Sequence, residues 1–196
     1  MKKISALVLL LLIIFLGWYI YSVSTNRIEK NKVGLSAPEN LQNEDIVIES
    51  IQKKVKSIDD EKDYQVKTLD NEWFVARNIV RDNGVIIDGY VKDGQISKIT
   101  EKIGLSYGVR IYEYYLVDKK LIYVNEKEDY YPYDNDSSTF NYAKLESGFE
   151  AHHYFHENKL VQTKISGEKK FPENDVNLES LFTSTATEYV DLLTNI

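Results

Sequence analysis

No cysteine occurs anywhere in the chain. Disulfides, cysteine-ligated zinc, thiol catalysis and lipid attachment through cysteine are therefore excluded, although the redox compartment stays open. Histidine is nearly as scarce. His152, His153 and His156 all fall in the stretch EAHHYFHEN, so a Ser-His-Asp triad would have to draw on that one strip. There is no phosphate loop, no dinucleotide glycine fingerprint, no HExxH and no GxSxG elbow. No cofactor is expected. Basic charge is also short. Setting aside Lys2 and Lys3, the 24 Lys and Arg fall to 22 against 31 Asp and Glu, a net charge of −9 beyond residue 26. Such a surface repels nucleic acid at long range, and no basic run offsets it.

What is present begins with MKKISALVLLLLIIFLGWYIYSVST. Lys2 and Lys3 precede an uncharged, mostly apolar run from Ile4 to Val23. About 20 residues at 1.5 Å rise span a hydrocarbon core of about 30 Å, and Trp18, Tyr19 and Tyr21 suit the far interface. The competing reading is a cleaved export signal, with SVS as its cleavage site, but the apolar run is longer than such signals carry. Residues 1–25 are therefore expected to be a transmembrane anchor or uncleaved signal, 26–36 a polar tether, and 37–196 one domain. Arg27, Lys30 and Lys32 just past the run count against the positive-inside rule, while the short basic start favours export. The expected location is the bacterial cytoplasmic membrane, single-pass, with the domain outside the cytoplasm.

Apolar residues make up 43% and charged residues 28%, a globular balance. The ~170 residues past the anchor suit a single core burying about 70% of the unfolded surface. SAPE at residues 36–39 reads as a capping box, and Leu41, Ile48, Ile51, Val55 and Ile58 form one stripe of a helix over about 38–58. The acidic run SIDDEKD that ends it reads as a solvated turn. YQVKTL, EWFVARNIVR, VIIDGYVK, QISKITEKI, VRIYEYYLV, KLIYVNEK, FEAHHYFH and KLVQTKIS follow, rich in β-branched and aromatic residues and separated by turn signals. Leu178, Leu181, Phe182, Thr185, Tyr189, Leu192, Leu193 and Ile196 share the face of a closing helix over about 176–194, capped by Asn174, Asp175 or Asn177. The expected fold is α+β, a mainly antiparallel meander of about eight strands with a helix before and after it.

Three stretches align without gaps: GYVKDGQI (89–96), YYLVDKKL (114–121) and HYFHENKL (153–160). Each places Tyr90, Tyr115 or Tyr154 before an apolar residue, then an acid at the turn, then an apolar residue on the return strand. In a two-residue hairpin the residues two places outside the turn face each other. Val91–Ile96, Leu116–Leu121 and Phe155–Leu160 are therefore expected pairs. The stretch from 84 to about 168, with glycines 84, 108 and 148 upstream of the units, resembles the MORN-like hairpin repeats of bacterial envelope and antitoxin-like proteins, whose units read Gly…Tyr-Tyr-x-Asp/Asn-Gly-x-Leu. Gly94 is the only turn glycine that matches, and the family's second glycine is missing from all three units. The resemblance implies interaction and supplies no catalytic residues.

Two groups of side chains could carry function. On a helix, His152 and His156 would stand about 6 Å apart and could share a metal, with Glu150 nearby. On a strand they lie about 13 Å apart, too far for ligand bonds of about 2.0–2.1 Å. The repeat alignment puts them on a strand. The second group is the loop EDYYPYDNDSSTFNYAKLESG (128–148), where Tyr130, Tyr131, Tyr133, Phe140 and Tyr142 surround Pro132. Loops of this length in compact domains carry function or are disordered, and exposed tyrosines make good contact anchors; the rings could equally fold back on the sheet edge. Asp134-Asn135-Asp136 starts like a calcium loop, but lacks glycine at the sixth place and has Leu145 at the twelfth. Trp73 and Phe74, adjacent on an expected strand, should split between core and surface. Together these features point to a non-enzymatic binding module, contacting an envelope protein or a cell-wall component. An immunity or inhibitor protein, using its acidic aromatic surface against a basic toxin or enzyme, is the alternative. A metal-dependent hydrolase built on the histidines is the third reading.

Overall fold

Three two-residue turns organise the sheet. Asp93–Gly94, Asp118–Lys119 and Glu157–Asn158 each have positive φ at both central residues, at 51° and 74°, 49° and 63°, and 50° and 61°. That is the type I′ geometry whose twist matches the flanking strands. The computed structural model describes residues 39–79, 83–171 and 176–196. The expected anchor, the tether and the Ser36 cap lie outside these residues. Among the described residues no helix is long and apolar enough to cross a membrane. Residues 43–196 form one compact unit.

The strands are β1 (Gln65–Leu69), β2 (Val85–Lys92), β3 (Gln95–Leu105), β4 (Gly108–Val117), β5 (Lys120–Tyr130), β8 (Glu146–His156) and β9 (Lys159–Gly167). They form a seven-stranded antiparallel sheet in chain order, with β6 (Tyr133–Asp134) and β7 (Thr139–Phe140) as a separate ribbon inserted after β5. Val91–Ile96, Leu116–Leu121 and Phe155–Leu160 pair as the turn geometry requires. Immediately beyond each pair the register slips by one residue, leaving Ser97, Ile122 and Val161 unpaired. These β-bulges place two successive side chains on one face. Ile122 and Tyr123 accordingly enter the same cluster, while Leu121 enters the other.

Two helices cover the two faces. The first helix, α1 (Glu39–Asp60), sets Ile48 and Ile51 on Tyr115, Ile122, Tyr123 and Tyr154. Tyr115, Tyr123 and Tyr154 thus line up beneath it, in one cross-strand row that continues through Lys98 to Tyr90. Polar groups of α1 meet their hydroxyls, with Tyr115 donating to Asp59 and Gln52 donating to Tyr154. The last helix, α3 (Leu178–Thr194), is capped by Asn177, whose side chain accepts from the Ser180 amide. Its Phe182, Ala186, Tyr189 and Leu193 are buried on the opposite face, against Ile87, Ile99, Tyr112, Tyr114, Val124 and Phe155.

One expected strand is a helix instead. Residues 72–81 were expected to extend, but α2 (Asn71–Val75) occupies their start. Asp70 accepts from the Trp73 amide at 2.9 Å, and Glu72 lies in the first turn, where the helix dipole favours an acid. The Asp70-Asn71 pair is thus a helix cap and not a hairpin turn. Phe74 enters the core, and Trp73 lies against it with Arg77 stacked 3.7 Å from its ring.

Candidate functional site

A meander sends alternate connections to opposite ends of its sheet. The three type I′ turns share one end. The other end receives α2, the Ser106–Tyr107 turn, the β6–β7 ribbon and the segment after β9. Aromatic rings gather there. The ribbon is pinned by the Asn141 amide donating to the Pro132 carbonyl at 2.8 Å and by Asp134 accepting from the Asp136 amide. Tyr133 and Phe140, paired across the ribbon, meet edge to face at 5.5 Å. Tyr142 lies 5.0 Å from Tyr131 and 6.3 Å from Phe140. Tyr107 contributes a further ring from the β3–β4 turn, 6.0 Å from Tyr130 and 4.7 Å from Phe171. Tyr133, Tyr142 and Phe171 remain 53%, 61% and 56% exposed.

The five loop aromatics singled out from sequence are therefore neighbours, with different surroundings. Tyr130 is fixed inward, Tyr131 and Phe140 are partly buried, and Tyr133 and Tyr142 face solvent. Sequence reasoning missed Tyr107, Phe171 and Lys170. Connection parity was the available signal, because 106–107 and 168–171 must emerge at the same end as 131–145.

Beneath the rings lies a buried polar row. Glu101, Tyr112 and Glu126 are cross-strand neighbours on the face covered by α3, and Glu128 stands beyond them. These three glutamates are almost fully buried, yet each has partners. Tyr189 donates to Glu101 at 2.6 Å. Glu126 accepts from Tyr112 at 3.0 Å and pairs with Lys169 at 2.6 Å, with the His153 ring 3.6 Å away. Arg110 pairs with Glu128, which also accepts from Tyr130 at 2.7 Å. Burial and the Glu128 hydrogen bond push the Tyr130 hydroxyl up to about 12. Tyr130 in turn accepts from the Lys170 amide at 2.8 Å, tying the segment after β9 to the ring cluster. Glu126 and Glu128 each have a cationic partner and Glu101 has the Tyr189 hydroxyl, an arrangement that suits a scaffold.

Burial raises the Glu126 carboxyl, but the approach of His153 and Lys169 and the Tyr112 hydroxyl outweigh it, leaving a net lowering. The sign follows directly. Stability from this group is complete above the ordinary carboxylate range and is lost as pH falls through the lowered value. Glu126→Gln should flatten the acid limb of a urea-stability profile taken from neutral pH to about pH 3, below the ordinary glutamate value. An unchanged acid limb would show that Glu126 does not govern it.

The histidine group is dispersed. His152 and His156 both lie on β8. The His152 ring is 2.6 Å from the Tyr123 hydroxyl and 3.8 Å from Glu150. His156 stands beside the Glu157–Asn158 turn, while His153 points to the opposite face and bonds Thr163 at 3.0 Å. Among the described residues no group of three His, Asp or Glu is placed to hold a metal ion. A cleft of about 530 Å³ between α2 and α3 includes Trp73, Arg77, Glu101 and Tyr189, but its one buried acid is the Glu101 already bonded to Tyr189.

Comparison with known proteins finds no matching family model, no matching curated protein and no matching solved structure.

Proposed function

We propose that this protein is a non-enzymatic binding module, held at the outer side of a bacterial cytoplasmic membrane by residues 1–25. In this reading the ring cluster at the ribbon end is its contact surface, and its partner is an envelope protein or cell-wall component. The observation that carries this reading is the exposure of Tyr133, Tyr142 and Phe171 on one built surface. Exposed aromatic rings supply large contact area at little entropic cost, and contiguous ones mark interaction sites. The resemblance to MORN-like repeats points the same way.

Site-specific photo-crosslinking in intact cells tests the proposal. A crosslinker at position 133 or 142 of the full-length chain should give discrete adducts, whereas one at Thr187, exposed on α3, should give none. Equal labelling at all three positions would sink it. A basic toxin as the sole adduct would instead identify an immunity protein.

A further inference from the structure

The ring cluster already holds a cation. Lys170 Nζ lies over the rings of Phe140, Tyr107 and Tyr130, at 4.9, 5.9 and 5.9 Å from their centroids. Among the described residues this ammonium has no carboxylate partner; its neighbours are π faces. Three rings converging on one positive group make the arrangement by which proteins recognise alkylated ammonium ions.

Size decides which cation fits. A bare ammonium in contact with a ring sits at roughly the 3.5–4.0 Å of ordinary heavy-atom contact. A methyl group on nitrogen adds a bond of about 1.5 Å, moving the nitrogen to about 5 Å from the ring. The separations to the ring centroids, 4.9 to 5.9 Å, lie within the cation–π range and are ones that a methylated nitrogen would also adopt. Electrostatics favour the same ligand. Tyr130 donates to the buried Glu128 carboxylate at 2.7 Å, which makes that ring more electron-rich. The chain beyond residue 26, at −9, attracts cations at long range.

We propose that Tyr107, Tyr130 and Phe140 form a cage for a trimethylammonium group of the choline class, with Lys170 as its built-in competitor. The proposal rests on the reading of the aromatic end as a binding surface. A quaternary ammonium is weakly hydrated and presents methyl groups to all three rings at once. Lysine gives up more hydration and touches each ring less closely. Entry of the ligand therefore requires only that Lys170 swing outward.

Choline and tetramethylammonium chloride, titrated into the full-length chain in choline-free detergent and followed by aromatic-ring NMR, test this. Lys170→Gln removes the competitor and should bind choline about tenfold more tightly than the wild-type chain, by the arithmetic of freeing an occupied site. Lys170→Arg, which keeps a cation in place, should stay near wild type. Adding Phe140→Leu to Lys170→Gln should abolish the gain. Phosphatidylcholine vesicles separate the two sources of this headgroup. Phe140-dependent recruitment to them assigns a lipid ligand, and response to free choline alone assigns a soluble one. The cage is overturned if Lys170→Gln binds choline no better than wild type, or if Phe140→Leu leaves the gain intact. Such a failure alongside discrete adducts at 133 and 142 would remove the cage and leave the contact surface standing.

Discussion

Phe182→Ala should cost the domain about 3–5 kcal/mol of folding stability, the range for deleting a buried aromatic ring. Phe182 is 1% exposed and is the ring through which α3 grips the sheet. It lies 4.8 Å from His153, 6.0 Å from Tyr112, 6.3 Å from Tyr114 and 6.4 Å from Phe155, so it bridges β4 and β8. These neighbours are held by strand pairing and cannot collapse into the space left behind. His153 and Tyr112 would also gain access to water, loosening the cluster around Glu126. Urea denaturation at neutral pH measures the effect. A loss below about 1 kcal/mol, the level of an ordinary surface change, would mean that α3 is not a main support of the fold.

Arg110→Met is expected to be similarly severe, for an electrostatic reason. Glu128 is fully buried, and Arg110 is its charge partner. Removing one member of a buried pair costs about 3–5 kcal/mol because the other charge stays out of water uncompensated. Tyr130 would remain as a hydrogen-bond donor but cannot neutralise the carboxylate. A further result identifies the mechanism. The double variant Arg110→Met/Glu128→Met should regain most of the loss, since a nonpolar pair leaves no charge behind. A double variant as unstable as the single one would assign the cost to packing.

These buried acids show what the sequence conceals. In QISKITEKI and KLIYVNEK the alternation of polar and apolar residues marks strands, and it marks them correctly. It does not mark Glu101 and Glu126 as inward-facing, because their compensation comes from Tyr189 and Lys169, distant in sequence. Register at the hairpins was legible for the opposite reason. Two-residue turns fix their own flanking pairs locally, so Val91–Ile96, Leu116–Leu121 and Phe155–Leu160 needed no tertiary information. The bulges at Ser97, Ile122 and Val161 lie one residue further on and break the simple alternation from which faces are read. At α2 the competing signals were strand propensity in Trp73-Phe74-Val75 and an N-cap at Asp70, and the cap won once Phe74 had a core to enter. The candidate surface was half legible. Its loop tyrosines are adjacent in sequence, whereas Tyr107, Lys170 and Phe171 reach it only through strand parity.

That parity divides the labour of the molecule. All three repeat turns occupy one pole, and each is too short to vary without disturbing strand register. Apart from the two-residue Ser106–Tyr107 turn, the connections at the opposite pole are free of that constraint and can lengthen, shorten or change composition while the hydrogen-bonded ladder stays intact. Under the proposed binding role, recognition would diversify by exchanging a few connectors, as a tool changes its bit while keeping the handle, and the ribbon with its tyrosines would be one such exchangeable piece.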